Sequence, residues 1–134
     1  MKEQTIIPDG LYYTKEHEWA KLAGGIAVIG ITDYAAKTLN DIVYLSLPEL
    51  GKELKQLTTF GTVESTKAVS ELYAPVSGKV TKVNTELVNH PELVNQFPYE
   101  KGWIIEITIS DLDSEKAKLL DSKQYAEFLA ALEP

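Results

Sequence analysis

Short runs of β-branched and aromatic residues, separated by glycine, proline and polar residues, recur along most of the chain. The runs at residues 26–31 and 42–47 are apolar on both faces and are predicted to be buried strands. Residues 103–109 alternate isoleucines with polar residues, which is typical of a half-buried strand. Residues 49–59 are interpreted as a polar connector. About seven short strands without βαβ alternation predict a small antiparallel β-sandwich or barrel.

Helical patterns are short before the end of the chain. Thr32 or Asp33 is predicted to cap a short helix over residues 34–39, which Asn40 would end. A brief helical piece is predicted at residues 91–95, because its first residue is a proline and proline suits a first helical turn.

The character of the sequence changes near residue 110, after which good helix formers dominate. We expect one domain over residues 1–134, with a core at about 20–110 and a helical segment at 111–134. Within that segment Leu119 and Leu120 are assigned to a first helical stretch. One face of a second helix is formed by Tyr125, Phe128, Leu129 and Leu132.

A polar segment at residues 64–68 separates two further runs rich in β-branched and aromatic residues. This pattern predicts a β-hairpin with Lys67 at or beside its tip. A lysine held out in solvent suits covalent attachment better than it suits reaction as a free amine. Because most lysines lie at the surface without a specific role, the position alone does not establish a function.

The formal net charge of −7 limits the classes of partner. Its long-range field would repel polyphosphate and anionic lipid, so we expect no nucleic-acid and no membrane partner. A negative net charge is compatible with docking onto basic patches of protein partners. The sequence has no recognisable signal segment and no apolar run near the ~20 residues of a membrane span. We therefore expect a cytoplasmic protein.

The sequence is poor in catalytic and metal-binding machinery. It contains no cysteine, so any sulfur redox chemistry must arrive on a prosthetic group. The two histidines, His17 and His90, are far apart and form no ligand-spaced pair, so no metal is expected. An enzyme acting through Glu16, Glu18 or His17 is kept as an alternative. The sequence therefore favours a carrier protein over an enzyme.

The hairpin sequence resembles the lipoyl-attachment region of the H-protein of the glycine cleavage system. This resemblance is carried by residues 64–68 and 73–78. It covers nearly the whole chain in the family's order, extending to residues 13–19, 30–35, 41–48, 91–95 and 98–103.

The resemblance implies a mainly β fold, a lipoyl-domain-like barrel-sandwich hybrid with short helices and a C-terminal helical segment. That fold agrees with the pattern of strands and helices. Two positions depart from the commonest family pattern. Phe97 stands where an acidic or small polar residue is usual, and Asn40 replaces a frequent glycine.

The resemblance also implies a set of site residues. Lipoate would be attached as an amide to a lysine, next to a hairpin that is recognised by other proteins, and the loaded arm would rest in a cleft. These roles fall on Lys67 for attachment, on Glu64, Ser65 and Ala68 for the recognition hairpin, and on Glu18 and Tyr34 for the cleft.

The function implied is that of a non-catalytic lipoyl carrier in the glycine cleavage system. The carrier would take the aminomethyl group derived from glycine from the P-protein to the T-protein, and the L-protein would reoxidise its dihydrolipoyl arm. A lipoate ligase or a lipoyl/octanoyl transferase would modify the lysine. A monomer is expected, because the shuttle must visit several partners.

Two alternatives keep the carrier scaffold. A biotin carrier also presents a lysine on a hairpin, but that family flanks the lysine with methionines, and here the neighbours are Thr66 and Ala68. A lipoyl relay would instead donate lipoyl groups to 2-oxoacid dehydrogenases.

Overall fold

Two antiparallel sheets form the body of the protein, for which a computed structural model describes residues 5–132. In that range the strands are β1 Tyr12–Tyr13, β2 Glu18–Ala23, β3 Ile26–Ile31, β4 Ile42–Ser46, β5 Glu53–Leu54, β6 Thr59–Ser65, β7 Val69–Tyr73, β8 Gly78–Val83 and β9 Ile105–Ile109. The larger sheet has the order β1-β2-β3-β9-β8-β5, and the smaller has the order β4-β6-β7.

The helices are short and lie between and after the strands. They are α1 Asp33–Leu39, α2 Glu86–Asn89, α3 Leu93–Gln96, α4 Leu112–Glu115 and α5 Ser122–Leu132, with a 3₁₀ turn at Lys116–Lys118. Within residues 5–132 no helix is long and apolar enough to cross a membrane.

The main core contains residues from both sheets. Ile29 and Ile107 of the larger sheet belong to the same buried cluster as Val63 and Leu72 of the smaller one. Alternate side chains of β3 (Ala27, Ile29 and Ile31) and of β9 (Ile105 and Ile107) enter this core, as expected when one face of an antiparallel sheet is buried. The observed architecture agrees with the predicted mainly β fold with short helices and a C-terminal helix.

A second cluster attaches α5 to the larger sheet. Tyr125 of α5 is fully buried and its ring stacks on that of Tyr13, with the ring centroids 4.6 Å apart. The Tyr125 hydroxyl group also lies 2.8 Å from Thr32 Oγ1 and 2.9 Å from His17 Nδ1. Packing and polar contacts therefore converge on one residue of this helix.

Both predicted limits of α1 are observed. The Thr32 side chain caps the helix by accepting a hydrogen bond from the Ala35 amide at 3.3 Å. Asn40 ends it with a φ of 66° and a ψ of −151°, a positive-φ backbone that favours glycine, the residue that is frequent at this position in the family pattern.

The predicted connector at residues 49–59 is wrong in part, because it contains strand β5. Leu54 of β5 is 5% exposed and is paired with Gly78 of β8. Two residues are too few for a period-2 pattern, so only the tertiary pairing reveals this strand. Likewise, the strand predicted at residues 103–109 begins only at Ile105.

The helices after residue 84 also differ from the prediction. Helix α2 was not predicted, and Pro91 lies in a turn before α3 rather than in a helix. Leu119 and Leu120 follow the 3₁₀ turn, and Leu120 forms a bridge with Tyr13.

Residues 1–4 and 133–134 of the predicted domain lie outside the described residues. The face predicted for the last helix is buried at Tyr125 and Leu129, whereas Leu132 is 47% exposed.

We predict that Tyr125→Phe lowers the free energy of unfolding by about 1–2 kcal/mol, because the ring stays but a buried hydroxyl group with two partners is lost. Urea unfolding measures the change. Tyr44→Phe is the matched control, since this tyrosine is 53% exposed, and we expect a change within about 0.5 kcal/mol. Equal effects of the two substitutions would contradict the assigned role of Tyr125.

Candidate functional site

Lys67 lies in the tight turn between β6 and β7, as the hairpin pattern predicts. Thr66 and Lys67 form its loop, which is closed by a 2.8 Å hydrogen bond from the Ser65 amide to the Ala68 carbonyl oxygen. The Ser65 hydroxyl oxygen also accepts from the amides of Lys67 at 3.1 Å and Ala68 at 3.0 Å. Serine is common in turns because its hydroxyl group can satisfy nearby amides. The backbone of Lys67 is therefore fixed.

The turn is supported from outside the hairpin. The Thr66 amide donates to the Asp41 carbonyl oxygen at 3.0 Å. That loop is in turn held by Asn95 of α3, whose side chain accepts from the Ile42 amide at 3.0 Å and donates to the Asn40 carbonyl oxygen at 2.7 Å. A single polar residue in a short helix gives no sequence signal for such a role, and Asn95 was not predicted to belong to the site.

The Lys67 side chain is exposed, and its ammonium group donates to the Thr38 carbonyl oxygen at 3.0 Å. Thr38 belongs to the last turn of α1, where carbonyl groups lack helical partners and a cation is favourable. Among residues 5–132 no carboxylate forms an ion pair with Lys67. The amine is thus accessible from solvent.

Glu64 and its neighbours place acidic and apolar groups beside the lysine. Glu64 is half-buried on β6, where it is paired with Tyr44 of β4 on one side and with Val69 of β7 on the other. Directly paired residues of an antiparallel sheet point to the same face. The recognition residues Glu64, Ser65 and Ala68 therefore surround the turn, although their role in recognition stays a prediction.

Glu18, at the start of β2, is buried, with 1% of its surface exposed. Thr14 Oγ1 donates to one carboxyl oxygen at 2.5 Å, and the Tyr73 amide donates to the other at 3.1 Å. Burial raises the pKa of Glu18 to about 8, although these hydrogen bonds act in the opposite direction. The neutral acid is therefore the main form of this side chain at pH 7.

The structure does not bring Glu18 directly beside Lys67. Glu18 contacts Tyr73, which lies six residues after Lys67 at the far end of β7. Six residues of extended strand span about 20 Å. A lipoyl-lysine arm is about 14 Å long, as ordinary bond lengths give. The arm would have to lie extended along the hairpin to approach Glu18, and the role of Glu18 in a cleft stays a prediction.

Tyr34, the other predicted cleft residue, is half-buried in the first turn of α1. Its ring centroid lies 4.6 Å from that of His17. His17 lies in turn against Tyr125, and burial lowers the pKa of this histidine. Tyr34 thus lies against the residue that precedes Glu18 in sequence, and the role of Tyr34 also stays a prediction.

The residues of the alternative enzyme hypothesis have different surroundings. Glu16 is exposed, His17 is engaged with Tyr125, and Glu18 is buried. Among residues 5–132 no group of three or more His, Cys, Asp and Glu side chains is arranged to hold a metal ion.

A sandwich of two antiparallel sheets that presents a lysine on a tight, well-supported turn defines a carrier domain. Comparisons with known proteins identify its family. Residues 11–132 match the family model described as Glycine cleavage H-protein. On this evidence the chain belongs to the glycine cleavage H-protein family.

Individual relatives agree with the family model. Proteins named glycine cleavage system H protein from two strains of Staphylococcus epidermidis are 53% and 52% identical to this chain over 123 residues, covering 92% of it and 97% of each relative. A crystal structure of a glycine cleavage system H protein from Mycobacterium marinum matches with a TM-score of 0.79 and 35% identity. The match covers 90% of this chain and 97% of that one.

The family confirms the resemblance, the fold class and the predicted function. The chain is a non-catalytic lipoyl carrier protein of the glycine cleavage system, and its partners are within that system. The enzyme hypothesis is therefore wrong, and the relay alternative is not favoured.

We predict that the buried carboxyl group of Glu18 makes stability depend on pH. The folded protein binds this proton more tightly than the unfolded chain, because the pKa rises from 4.5 to about 8 on folding. The stabilisation from Glu18 is fully present below pH 4.5 and is lost as the pH rises through about 8. The slope is at most about 1.4 kcal/mol per pH unit for one proton. Glu18→Gln should remove this slope, as urea unfolding at a series of pH values would measure.

The difference between the wild-type protein and the variant isolates Glu18. The lowered pKa of His17 acts in the opposite direction, with stability lost as the pH falls, but it does so in both proteins. Parallel pH profiles for the two proteins would show that Glu18 does not exchange a proton on folding.

Proposed function

We propose that Lys67 carries lipoate as an amide on Nζ, and that the loaded protein takes the aminomethyl group derived from glycine from the P-protein to the T-protein. The L-protein reoxidises the arm. The observation that carries this proposal is the exposed amine of Lys67 on a turn whose backbone is fixed by Ser65 and Asp41. The exposed amine gives an enzyme access, and the fixed backbone gives the arm a defined origin.

The surroundings of Lys67 fit an acylated side chain. Acylation removes the positive charge of the amine. No ion pair with a described residue would be broken, and an amide N–H keeps one donor for the Thr38 carbonyl oxygen. When bound, lipoate supplies the redox-active sulfur atoms that this cysteine-free chain lacks.

The proposed role of Lys67 also implies the remaining partners. A lipoate ligase or a lipoyl/octanoyl transferase attaches the group and recognises the hairpin through Glu64, Ser65 and Ala68. The protein acts in the cytoplasm as a monomer. Its net charge of −7 favours docking onto basic surfaces of the enzymes that it visits.

Glu18 and Tyr34 form the cleft that protects the loaded arm. A cationic group next to Glu18 would lower the pKa of its carboxyl group, because an opposite charge favours the ionised form. The carboxylate would then donate no proton and accept a charge-assisted hydrogen bond from that cation. The burial of Glu18 supports this role, since exclusion of water strengthens the contact and slows hydrolysis.

We predict that Lys67→Arg abolishes lipoylation and the support of glycine decarboxylation by the P-protein, because arginine keeps the charge but has no amine to acylate. Intact mass and peptide mapping after co-expression with a lipoate ligase measure the first effect. Lys79→Arg is the control, since Lys79 is exposed on β8 and should leave both properties unchanged.

Two results would overturn the assignment of Lys67. One is a biotinyl mass increment on Lys67, which would favour the biotin carrier. The other is a lipoyl increment on a different lysine. A deletion strain separates the relay role, because loss of glycine cleavage alone indicates a shuttle and general lipoate auxotrophy indicates a relay.

We also predict that Glu18→Gln leaves lipoylation of Lys67 intact but shortens the lifetime of the loaded arm by up to about tenfold, since a charged hydrogen bond is replaced by a neutral one. The measurement is the loss of the carried mass with time after loading by the P-protein. Glu16→Gln removes a nearby exposed carboxylate and should have no effect. Equal lifetimes in the wild-type protein and Glu18→Gln would contradict the cleft role.

A further inference from the structure

The outward face of the smaller sheet carries apolar side chains next to Lys67. In a regular strand Val43 and Tyr44 would point to opposite faces. A register shift between Ile42 and Tyr44 interrupts the pairing of β4 with β6 at this point. Both Val43 and Tyr44 are consequently 53% exposed, while the flanking Ile42 and Leu45 are buried.

The apolar side chains continue across the sheet towards the turn. Tyr44 is paired with Glu64, which is paired with Val69, so the three side chains form one row on the same face. Val69 is 66% exposed and lies two residues after Lys67. We call Val43, Tyr44 and Val69 the apolar patch.

Acidic side chains lie beside this patch. Asp41 immediately precedes β4, and Glu64 stands between Tyr44 and Val69. Within residues 5–132 neither carboxylate forms an ion pair or a hydrogen bond. Glu71 follows in the next row of the same face. The patch and its acidic neighbours complement a partner surface on which basic side chains lie among apolar ones.

We propose that the apolar patch and its acidic neighbours are the docking surface for the enzyme that attaches lipoate to Lys67. The proposal rests on the proposed function of Lys67. Because Nζ lies only about 6 Å from the Lys67 Cα atom, an enzyme that acylates it must cover the adjacent sheet. The enzymes that act on the loaded arm work at its end, about 14 Å from the backbone, and are under no such constraint. The short distance from the Lys67 backbone to its amine therefore favours the attaching enzyme as the partner that covers this surface.

The test uses the full-length unmodified chain with purified lipoate ligase, lipoate and ATP, and follows the lipoyl mass increment with time. The double variant Tyr44→Ser, Val69→Thr should lower kcat/KM by about tenfold, the expected effect of losing a central apolar contact. The control Leu50→Ser, Val88→Thr removes side chains that are 65% and 67% exposed elsewhere, and should change kcat/KM less than about twofold. Urea unfolding verifies that all variants are folded.

A charge variant tests the acidic neighbours of the patch. Asp41→Asn with Glu64→Gln should lower kcat/KM at low salt and flatten its dependence on ionic strength, because complementary charges speed the encounter of the two proteins. An unchanged salt dependence would overturn the proposed contact with basic side chains of the partner.

The outcomes separate this inference from the proposed function. If the wild-type chain acquires no lipoyl group on Lys67, the proposed function itself fails. If the wild-type chain is modified and the double variant is modified with the same kcat/KM, only the docking surface fails. The double variant, once fully lipoylated with excess ligase, should support the P-protein at the wild-type rate. A loss at that step with unchanged lipoylation would assign the surface to the P-protein instead.

Discussion

The hydrogen bond from the Thr66 amide to the Asp41 carbonyl oxygen connects the turn that carries Lys67 to the rest of the protein. A hairpin tip is ordinarily a mobile part of a structure, because few contacts hold it. Here the contact continues through the loop after α1 to Asn95, so that elements distant in sequence determine where the turn lies. Ser65 then orders the turn itself. The side chain of Lys67 extends from this fixed turn and is exposed.

Glu18 anchors the other end of the same hairpin. It belongs to the larger sheet, whereas its partner Tyr73 ends the last strand of the smaller one, so this hydrogen bond joins the two sheets. A buried carboxyl group without a cation is costly when ionised, which is why its pKa rises. A charged cargo changes that balance, because an ionised carboxylate with a cation beside it is better tolerated than one alone. The same side chain can therefore stabilise the free protein as an acid and, in the proposed cleft, would hold the cargo as a carboxylate.

Local patterns were sufficient to predict most of the strands, the cap at Thr32, the end of α1 at Asn40 and the position of Lys67 in a turn. These features depend on periodicity and on the conformational preferences of single residues. Strand β5 and the support from Asn95 depend on partners that are distant in sequence, and neither leaves a periodic signal. The burial of Glu18 likewise could not be predicted from local patterns. Acidic residues are usually exposed, and only the folded structure shows that Glu18 is buried.

A carrier that visits several enzymes faces conflicting demands on its surface. Enzymes that act on the end of a long arm need little of the protein surface, and a small interface allows rapid release. An enzyme that installs the arm on Lys67, as proposed, must instead distinguish it from the other exposed lysines of the chain, and a lysine side chain alone carries no such information. Tyr44, Glu64 and Val69 form a row that only the folded sheet assembles, since β4, β6 and β7 must be in register. Under the proposed docking, recognition of that row would restrict attachment to the folded protein and to one lysine.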